Sequence, residues 1–356
     1  MNLTIKMFET ITQRKIKVAL VGCGRISANH FNAIEQHADN LELVGICDTN
    51  PENLSKAKER THAATFNHID DLLNQTDADL IVLTTPSGLH PEHAIQALKA
   101  GFHVLTEKPM ATRLFDGIHM VKAADKAQKR LFVVKQNRLN PTIQRLKQAI
   151  DEGRFGQIRM VHCNVFWTRP QEYYDQGGAW RGTWEWDGGA FMNQASHYVD
   201  LMEWLIGAVE SVQAMTSTCR KIETEDSGVW NVRWRNGAIG SIACTMATYP
   251  KNLEGSITIL GDTGTVRVGG TALNQIQEWQ FADHKDYDDL VLNANYETQS
   301  VYGIGHPIYY KNVIDTLRGV AQPITDGRSG LKTLELLVAA ARAARDNQTV
   351  SLPLVL

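Results

Sequence analysis

KIKVALVGCGRISANHF, residues 15–31, is the stretch on which the reading of the fold turns. Ile16 to Val21 is a short, mostly apolar, β-branched run that passes straight into two glycines and then into a helical pattern. A strand, a tight glycine turn and a helix in immediate succession form the fingerprint of a dinucleotide-binding βα unit. There the first glycine makes the turn, the second lets a pyrophosphate approach the backbone, and the third position must be small. Here these places are Gly22, Gly24 and Ser27. Asp48 follows at the end of the next apolar run, where a carboxylate accepts the ribose 2'-hydroxyl and repels a 2'-phosphate, so NAD is favoured over NADP.

Outward from this unit the rhythm repeats. LELVGIC (41–47), ADLIVLTT (78–85), FHVLT (102–106) and LFVVK (131–135) alternate with helical patterns starting near Pro51, Pro91 and Thr112. Strands apolar throughout and separated by helices predict a parallel sheet covered on both faces. After a helix near 141–152 the pattern changes to successive strands: QIRMVHCNVFW (157–167), ESVQAMTS (210–217), GVWNVRWR (228–235), GAIGSIACTM (237–246), GSITILG (255–261) and GTVRVGG (264–270). In the third of these, Trp230, Val232 and Trp234 alternate with Asn231, Arg233 and Arg235, which predicts one polar face. Strand 158–167 reads as apolar on both faces. The expected architecture is α/β: an N-terminal Rossmann domain, residues 1–137, and a C-terminal α+β domain, 138–356, with a large, open, mostly antiparallel sheet.

Composition narrows the function. Thirty-six Lys and Arg against 39 Asp and Glu give a net charge of −3 without charge blocks, which argues against nucleic acid or an anionic membrane as partner. No 18-residue apolar run and no signal-peptide pattern occurs, so a cytoplasmic protein is expected. Five scattered cysteines without C-x-x-C pairs read as small buried residues rather than disulfides or a zinc site.

Two further loops leave the C-terminal ends of parallel strands, where ligands gather in such sheets: TTPSGLH (84–90) and TEKPM (106–110). The second carries Lys108. Alcohol oxidation needs a base near the hydroxyl while hydride leaves the same carbon, and a lysine desolvated beside a positive nicotinamide can serve. His90 and His93 lie three apart but lack acidic or cysteine companions, so no metal is assigned. From Trp167 to Gly189 runs a long loop with four tryptophans, Arg169 and Arg181, suited to sugar or base rings and to anionic oxygens, with Trp180 and Trp184 the expected roof of the core. In MNQASHYVDLMEWL (192–205), Met192, Ala195, Val199 and Met202 recur at helical spacing, and Asn193 and His197 interrupt them one turn apart.

GCGRIS, AGFHVLTEKP (100–109) and the G-G-x(3)-N-x(3)-H spacing from Gly188 to His197 resemble the glucose-fructose oxidoreductase, inositol dehydrogenase and MocA (Gfo/Idh/MocA) family over essentially the whole chain. The longer blocks VVKQNR, FWTRPQEYYD, WRGTWEWDGGAFMNQASHYVD, YPKNLEGSITILG and VYGIGHP look like its branch acting on UDP-linked N-acetylglucosaminuronate. The resemblance implies NAD-dependent oxidation of the sugar C3 hydroxyl, Lys108 and His197 facing that hydroxyl, and an aminotransferase that consumes the 3-keto product. It also implies a homotetramer built through the open sheet face and a role in surface-polysaccharide synthesis. By the same resemblance the cofactor meets Gly22, Gly24, Arg25, Ile26, Asp48, Thr85, Ser87, His90, Glu107, Lys108 and Asn137. The substrate meets Lys108, Trp167, Arg169, Tyr173, Tyr174, Asn193 and His197. Many family members carry aspartate where this chain has Asn193, which leaves proton transfer to Lys108 and His197 and the choice of base open. The alternatives are a dehydrogenase of a free polyol or sugar and a non-catalytic NAD-binding regulator, the latter disfavoured by the presence of both Lys108 and His197.

Overall fold

The computed structural model describes residues 8–176, 178, 180–298, 301 and 303–355 of the 356-residue chain, so Gly177 and Ala179 of the aromatic loop and Tyr302 of VYGIGHP lie outside the described residues. The chain divides into two compact units, 1–134 with 306–331 and 135–305 with 332–356.

The first unit has a six-stranded parallel sheet among the described residues, in the order β3-β2-β1-β4-β5-β6. Its strands are β1 (Ile16–Val21), β2 (Leu41–Cys47), β3 (Ala64–Phe66), β4 (Leu80–Leu83), β5 (His103–Thr106) and β6 (Leu131–Val133). The helices α1 (Ser27–Gln36), α2 (Pro51–Arg60), α3 (Ile69–Gln75), α4 (His90–Lys99) and α5 (Leu114–Ala127) are the crossovers. Every residue of β4 and β5 is buried, as strands covered on both faces must be. The reversal of strand order lies between β1 and β4, where such sheets bind ligands beyond the strands' carboxyl ends. The short β3 and α3 were not visible as sequence patterns.

The segment 306–331 joins this first unit, whereas the sequence reading kept it with the C-terminal domain. The reason is hydrogen bonding to distant chain: Tyr309 Oη and Thr325 Oγ1 both donate to Val133 O, at 2.8 and 2.6 Å, Phe132 bridges Asp326, and Ile11 N donates to Leu317 O at 2.9 Å.

The second unit is built on an eight-stranded sheet among the described residues, ordered β13-β12-β11-β7-β10-β9-β8-β14, antiparallel except for the β7/β10 pair. Its strands are β7 (Ile158–Phe166), β8 (Val209–Ser217), β9 (Ser227–Trp234), β10 (Ile239–Thr245), β11 (Glu254–Gly261), β12 (Gly264–Gly269), β13 (Gln275–Phe281) and β14 (Val350–Ser351). Helices α6 (Pro141–Asp151), α7 (Gln171–Asp175), α8 (Gly189–Asn193) and α9 (Ser196–Ile206) follow in this unit, while α10 (Gly305–Leu317) opens the returning segment and α11 (Gly327–Asp346) closes it. Trp230, Val232 and Trp234 are buried and Asn231 and Arg233 exposed, as the alternation predicts. Strand β7 is covered on one face in the single chain. Val161, Cys163 and Val165 are buried, but His162 is exposed and Met160, Asn164 and Phe166 are half-buried, so one face of the sheet is open in the single chain. Met215, Val229 and Ile239 are exposed apolar residues of β8, β9 and β10.

Candidate active site

The first unit places its site residues around the ends of β1, β2 and β4. Gly22 has φ +97°, and a Cβ there would lie 2.7 Å from the Thr84 carbonyl carbon, so both backbone conformation and space require glycine. A Cβ on Gly24 would meet nothing within 4 Å; local packing does not demand glycine there, and the open space suits a ligand that approaches the backbone. Ser27 Oγ donates to Gly24 O at 2.6 Å, using its hydroxyl to close the turn and leaving a small buried group at the start of α1. No acid occupies the first turn of α1, so its N-terminal dipole is left uncompensated, which favours an anion. Arg25 is exposed and Ile26 half-buried on this turn. Asp48 accepts from Cys23 N and Asn50 N, both at 2.7 Å, one on each carboxylate oxygen; each oxygen keeps a further lone pair for a ribose hydroxyl. These residues fit NAD.

His90 is buried, and its ring nitrogens lie 2.8 Å from Pro109 O and 2.9 Å from Thr85 O. It therefore ties the 84–90 loop to the 106–110 loop. Ser87 is buried and Thr85 half-buried in the first of these loops. Glu107 is also buried, and its oxygens are engaged by the protein: Oε1 accepts from His30 Nε2 at 3.0 Å and from His306 Nε2 at 3.5 Å, and Oε2 from Lys108 N at 3.0 Å. Because a carboxylate only accepts, His30 carries its proton on Nε2, and Nδ1 accepts from Tyr310 Oη at 2.8 Å. Burial pushes the Glu107 carboxyl upward, but the bonds from His30 and His306 outweigh it and hold it well below its usual range. One ring nitrogen each of His30 and His306 and a Glu107 oxygen lie within 4.8 Å of one another, a spacing that hydrogen bonding accounts for. Lys108 follows this fixed carboxylate directly, half-buried, with a cis bond to Pro109.

In the second unit the region around Asn193 and His197 differs from the single helix expected. Helix α8 ends at Asn193 and α9 begins at Ser196, so Gln194 and Ala195 break the run. Ser196 Oγ donates to Asn193 O at 3.3 Å, a side-chain bond of the kind that competes with a continuous helix. Asn193 Nδ2 donates to Asp187 Oδ1, and Gly182 N donates to Asp187 Oδ2 at 2.7 Å. Since the carboxylate only accepts, this bond sets the amide of Asn193 with its nitrogen toward Asp187. His197 is buried on α9, and the Gln136 side-chain amide lies 3.3 Å from its Nε2. Asn137 is buried beside Gln136 in sequence, and its Oδ1 has no hydrogen-bond partner among the described residues, nor has either side-chain polar atom of Gln194. Buried polar atoms of this kind are normally satisfied, so they call for water or a polar ligand.

The aromatic loop forms a cationic cluster. The Arg169 guanidinium sits 5.3 Å from the Tyr173 ring and 5.4 Å from Trp167, and Arg181 4.2 Å from Tyr173. Here the expected roof is corrected: Trp184 is 47% exposed and Trp180 half-buried, while Trp167 and Tyr174 enter the core. Trp167 does so because its Nε1 finds Thr271 O at 3.2 Å and its ring packs edge-on against Tyr198.

Two family models match the chain, an oxidoreductase-family NAD-binding Rossmann fold over residues 16–135 and an oxidoreductase-family C-terminal alpha/beta domain over 147–352. The chain belongs to the Gfo/Idh/MocA oxidoreductase family. Among solved structures, this family member is similar to the WlbA dehydrogenase of Chromobacterium violaceum in complex with NADH and UDP-GlcNAcA, at 61% identity and a TM-score of 0.95, covering 99% of this chain and 100% of that one. It is equally similar to the WlbA dehydrogenase of Bordetella pertussis in complex with the same two ligands, at 63% identity and a TM-score of 0.95, covering 97% and 100%. A curated relative, the D-apiose dehydrogenase of Paraburkholderia graminis, is 25% identical over 96% of this chain and 91% of its own. Among the described residues no helix is long and apolar enough to cross a membrane.

Sequence reasoning overlooked several residues that hold the candidates within each unit of this Gfo/Idh/MocA chain: in the first, His30 and His306 on Glu107 and Tyr310 on His30; in the second, Asp187 on Asn193 and Gln136 on His197, with Asp200 one turn further along α9. Asp200 stands three residues after His197 on α9, buried, and accepts from Arg138 Nε and Nη2 at 2.7 and 2.6 Å and from Thr333 Oγ1 at 2.9 Å. Its carboxyl is pushed up by burial, yet Lys135 and Arg138 prevail and lower it. A charged residue one turn after His197, on the same helix face, was the available signal.

Proposed function

We infer that the protein oxidises UDP-N-acetylglucosaminuronic acid with NAD, removing two hydrogens from the C3 hydroxyl carbon and oxygen to give the 3-keto sugar nucleotide, NADH and a proton. The observation that carries this reading is identity above 60% over nearly the full length of two dehydrogenase structures holding NADH and UDP-GlcNAcA. NAD bound on the Gly22–Asp48 face supplies the hydride acceptor. Lys108 and His197 are assigned to the hydroxyl proton, because Glu107 and Asp200, the buried carboxylates nearest to them in sequence, are already engaged. Asn193, oriented by Asp187, positions the sugar, and Arg169 with Tyr173 provides cationic and aromatic surface for the nucleotide end.

The same reading places the enzyme in the cytoplasm, upstream of an aminotransferase that consumes the reactive ketone on the way to a surface polysaccharide. A homotetramer joined through the open face of the second sheet is supported by the exposed Met215, Val229 and Ile239 there. The test is to incubate the purified protein with NAD and UDP-GlcNAcA while following NADH absorbance and the mass of the sugar nucleotide. Loss of two mass units with stoichiometric NADH is the expected result. Silence, persisting when 2-oxoglutarate and the aminotransferase are added to draw off product, would overturn it. Lys108→Met should retain NADH binding and lose turnover.

A further inference from the structure

Within the second unit one segment grips one helix twice. Lys135, Gln136, Asn137 and Arg138 are consecutive and buried; Arg138 makes its bidentate pair to Asp200 of α9, and Gln136 reaches Nε2 of His197 on the same helix at 3.3 Å. His197 and Asp200 are three residues apart and so share a helix face. The Arg138–Asp200 pair, joined by Thr333 Oγ1, fixes α9 against the segment, and Gln136 then meets the imidazole from an anchored backbone. Gln136 itself is 1% exposed, so its amide has little freedom to turn away.

We propose that Gln136 is a positioning residue for His197, holding the imidazole by its Nε2 and selecting the neutral ring with the proton on Nδ1. The chemistry follows from the donor inventory. An amide nitrogen has hydrogens to give and no lone pair to offer, so it bonds only to a ring nitrogen that is unprotonated. A neutral ring protonated on Nδ1 presents a donor there to a sugar oxygen, and the hydroxyl proton then goes to Lys108. A neutral amide thus holds the ring without the carboxylate partner that would favour the imidazolium. Among the described residues the charged groups packed on α9 within this unit are Lys135 and Arg138 from the gripping segment, Asp200 and Glu203 on the helix itself, Lys147 of α6 over the Trp204 ring, and Lys332 from α11. None of them changes in the variants below, so the response isolates position 136.

This inference rests on the proposed place of His197 at the reacting hydroxyl, and the experiment separates the two. NADH formation from UDP-GlcNAcA and NAD is measured as kcat and KM across pH for the wild type, Gln136→Met, Gln136→Glu and His197→Asn, with NADH affinity by fluorescence and thermal melting for each. Gln136→Met keeps the volume and removes the hydrogen bond; kcat should fall roughly tenfold with KM and NADH affinity unchanged, since a loosened group costs orientation. Gln136→Glu places a carboxylate against the ring and favours its charged form, so the acid limb of the kcat profile should move up by about one pH unit. A merely structural residue would change the melting temperature without moving that limb. If His197→Asn abolishes turnover while both Gln136 variants keep the wild-type kcat and limb, the positioning role is wrong and the assignment of His197 stands. If His197→Asn turns over normally, the assignment falls and this inference with it. Should Gln136→Glu fail to fold, Gln136→Met decides: an unchanged kcat overturns the proposal.

Discussion

Replacing Asp200 by alanine tests whether the second unit depends on its buried charges. The carboxylate is 2% exposed, Lys135 3% and Arg138 8% by side chain, and Lys135 Nζ lies 3.8 Å away. Asp200→Ala removes two charge-assisted bonds from Arg138, at 2.6 and 2.7 Å, and one from Thr333, and takes the Asp200 carboxylate from two buried cations. Each charge-assisted bond is worth ~1.5–3 kcal/mol, and breaking a buried pair by deleting one partner costs ~3–5 kcal/mol. The two estimates agree, so the second unit should lose about 3–5 kcal/mol. Urea unfolding followed by the fluorescence of the buried Trp230 and Trp234 reads the change, with Asp346→Ala as control. Asp346 pairs with Arg345 in solvent, and its loss should not register. The carboxyl of Asp200 is lowered by Lys135 and Arg138 against the upward push of burial. Its contribution is therefore fully present above the unfolded value of about 3.9 and disappears only as pH falls below that toward the folded value. Burial and the Asp200 charge raise the neighbouring Glu203 carboxyl to about 7, and the variant relieves the second of these, so the gap between wild type and variant should be somewhat smaller at pH 8 than at pH 5 and close only in stronger acid. A loss below about 1 kcal/mol would refute the reasoning, because it would mean that the cations find water or other partners on their own.

Three further outcomes follow from the same geometry. Gly22→Ala meets the Thr84 carbonyl carbon at 2.7 Å with φ +97°, so ~1–3 kcal/mol of strain falls on the cofactor turn and NADH binding, read by fluorescence, should weaken about tenfold or more. Asp48→Asn removes the charge that repels a 2'-phosphate, and the ratio of kcat/KM for NAD over NADP should fall; an unchanged ratio would remove Asp48 from the ribose site. Burial raises the Glu225 carboxyl to about 7, above an unfolded value of about 4.3, so the folded form binds more protons between these and stability drops as pH rises through that window. Glu225→Gln, which keeps an acceptor for Phe191 N, should therefore gain on the wild type between pH 5 and 8, by up to about 3 kcal/mol in urea unfolding.

What the sequence made legible was whatever repeats at short range. The alternation of apolar strands with helices, the GCGRIS turn and the period-two pattern of Trp230, Val232 and Trp234 are local signals, and the sheets follow them. The break between α8 and α9 was hidden because Gln194 and Ala195 suit a helix, and only Ser196 Oγ on Asn193 O shows the competing bond. Trp180 and Trp184 looked like core by composition, but the buried positions went to Trp167 and Tyr174, decided by partners such as Thr271 O that lie 104 residues away. The His30–Tyr310 bond spans 280 residues and the His306–Glu107 bond 199, and no window of sequence contains either. Lys108 and His197 could be named through family resemblance, whereas the groups that hold them could not.

Those supporting groups share a logic that bears on which residue is the base. Lys108 is preceded by Glu107, whose oxygens take donors from His30, His306 and the Lys108 backbone; His197 is followed one turn later by Asp200, whose oxygens take Arg138 and Thr333. Each carboxyl is held below its usual range despite complete burial. An ionised carboxylate with its lone pairs engaged and its proton affinity depressed is a poor acceptor for a proton released near neutral pH. The two anions therefore serve as anchors that fix the backbone of the neighbouring group, the rigidity on which an oriented reaction depends. With Asn193 in place of an acid, no carboxylate on α8 competes either, and Asp187, which orients that asparagine, is itself bound by Gly182 N and Asn193 Nδ2. On the proposed function, proton transfer rests on Lys108 and His197, and with the imidazole held at Nε2 by Gln136 as proposed, Lys108 is favoured as the base.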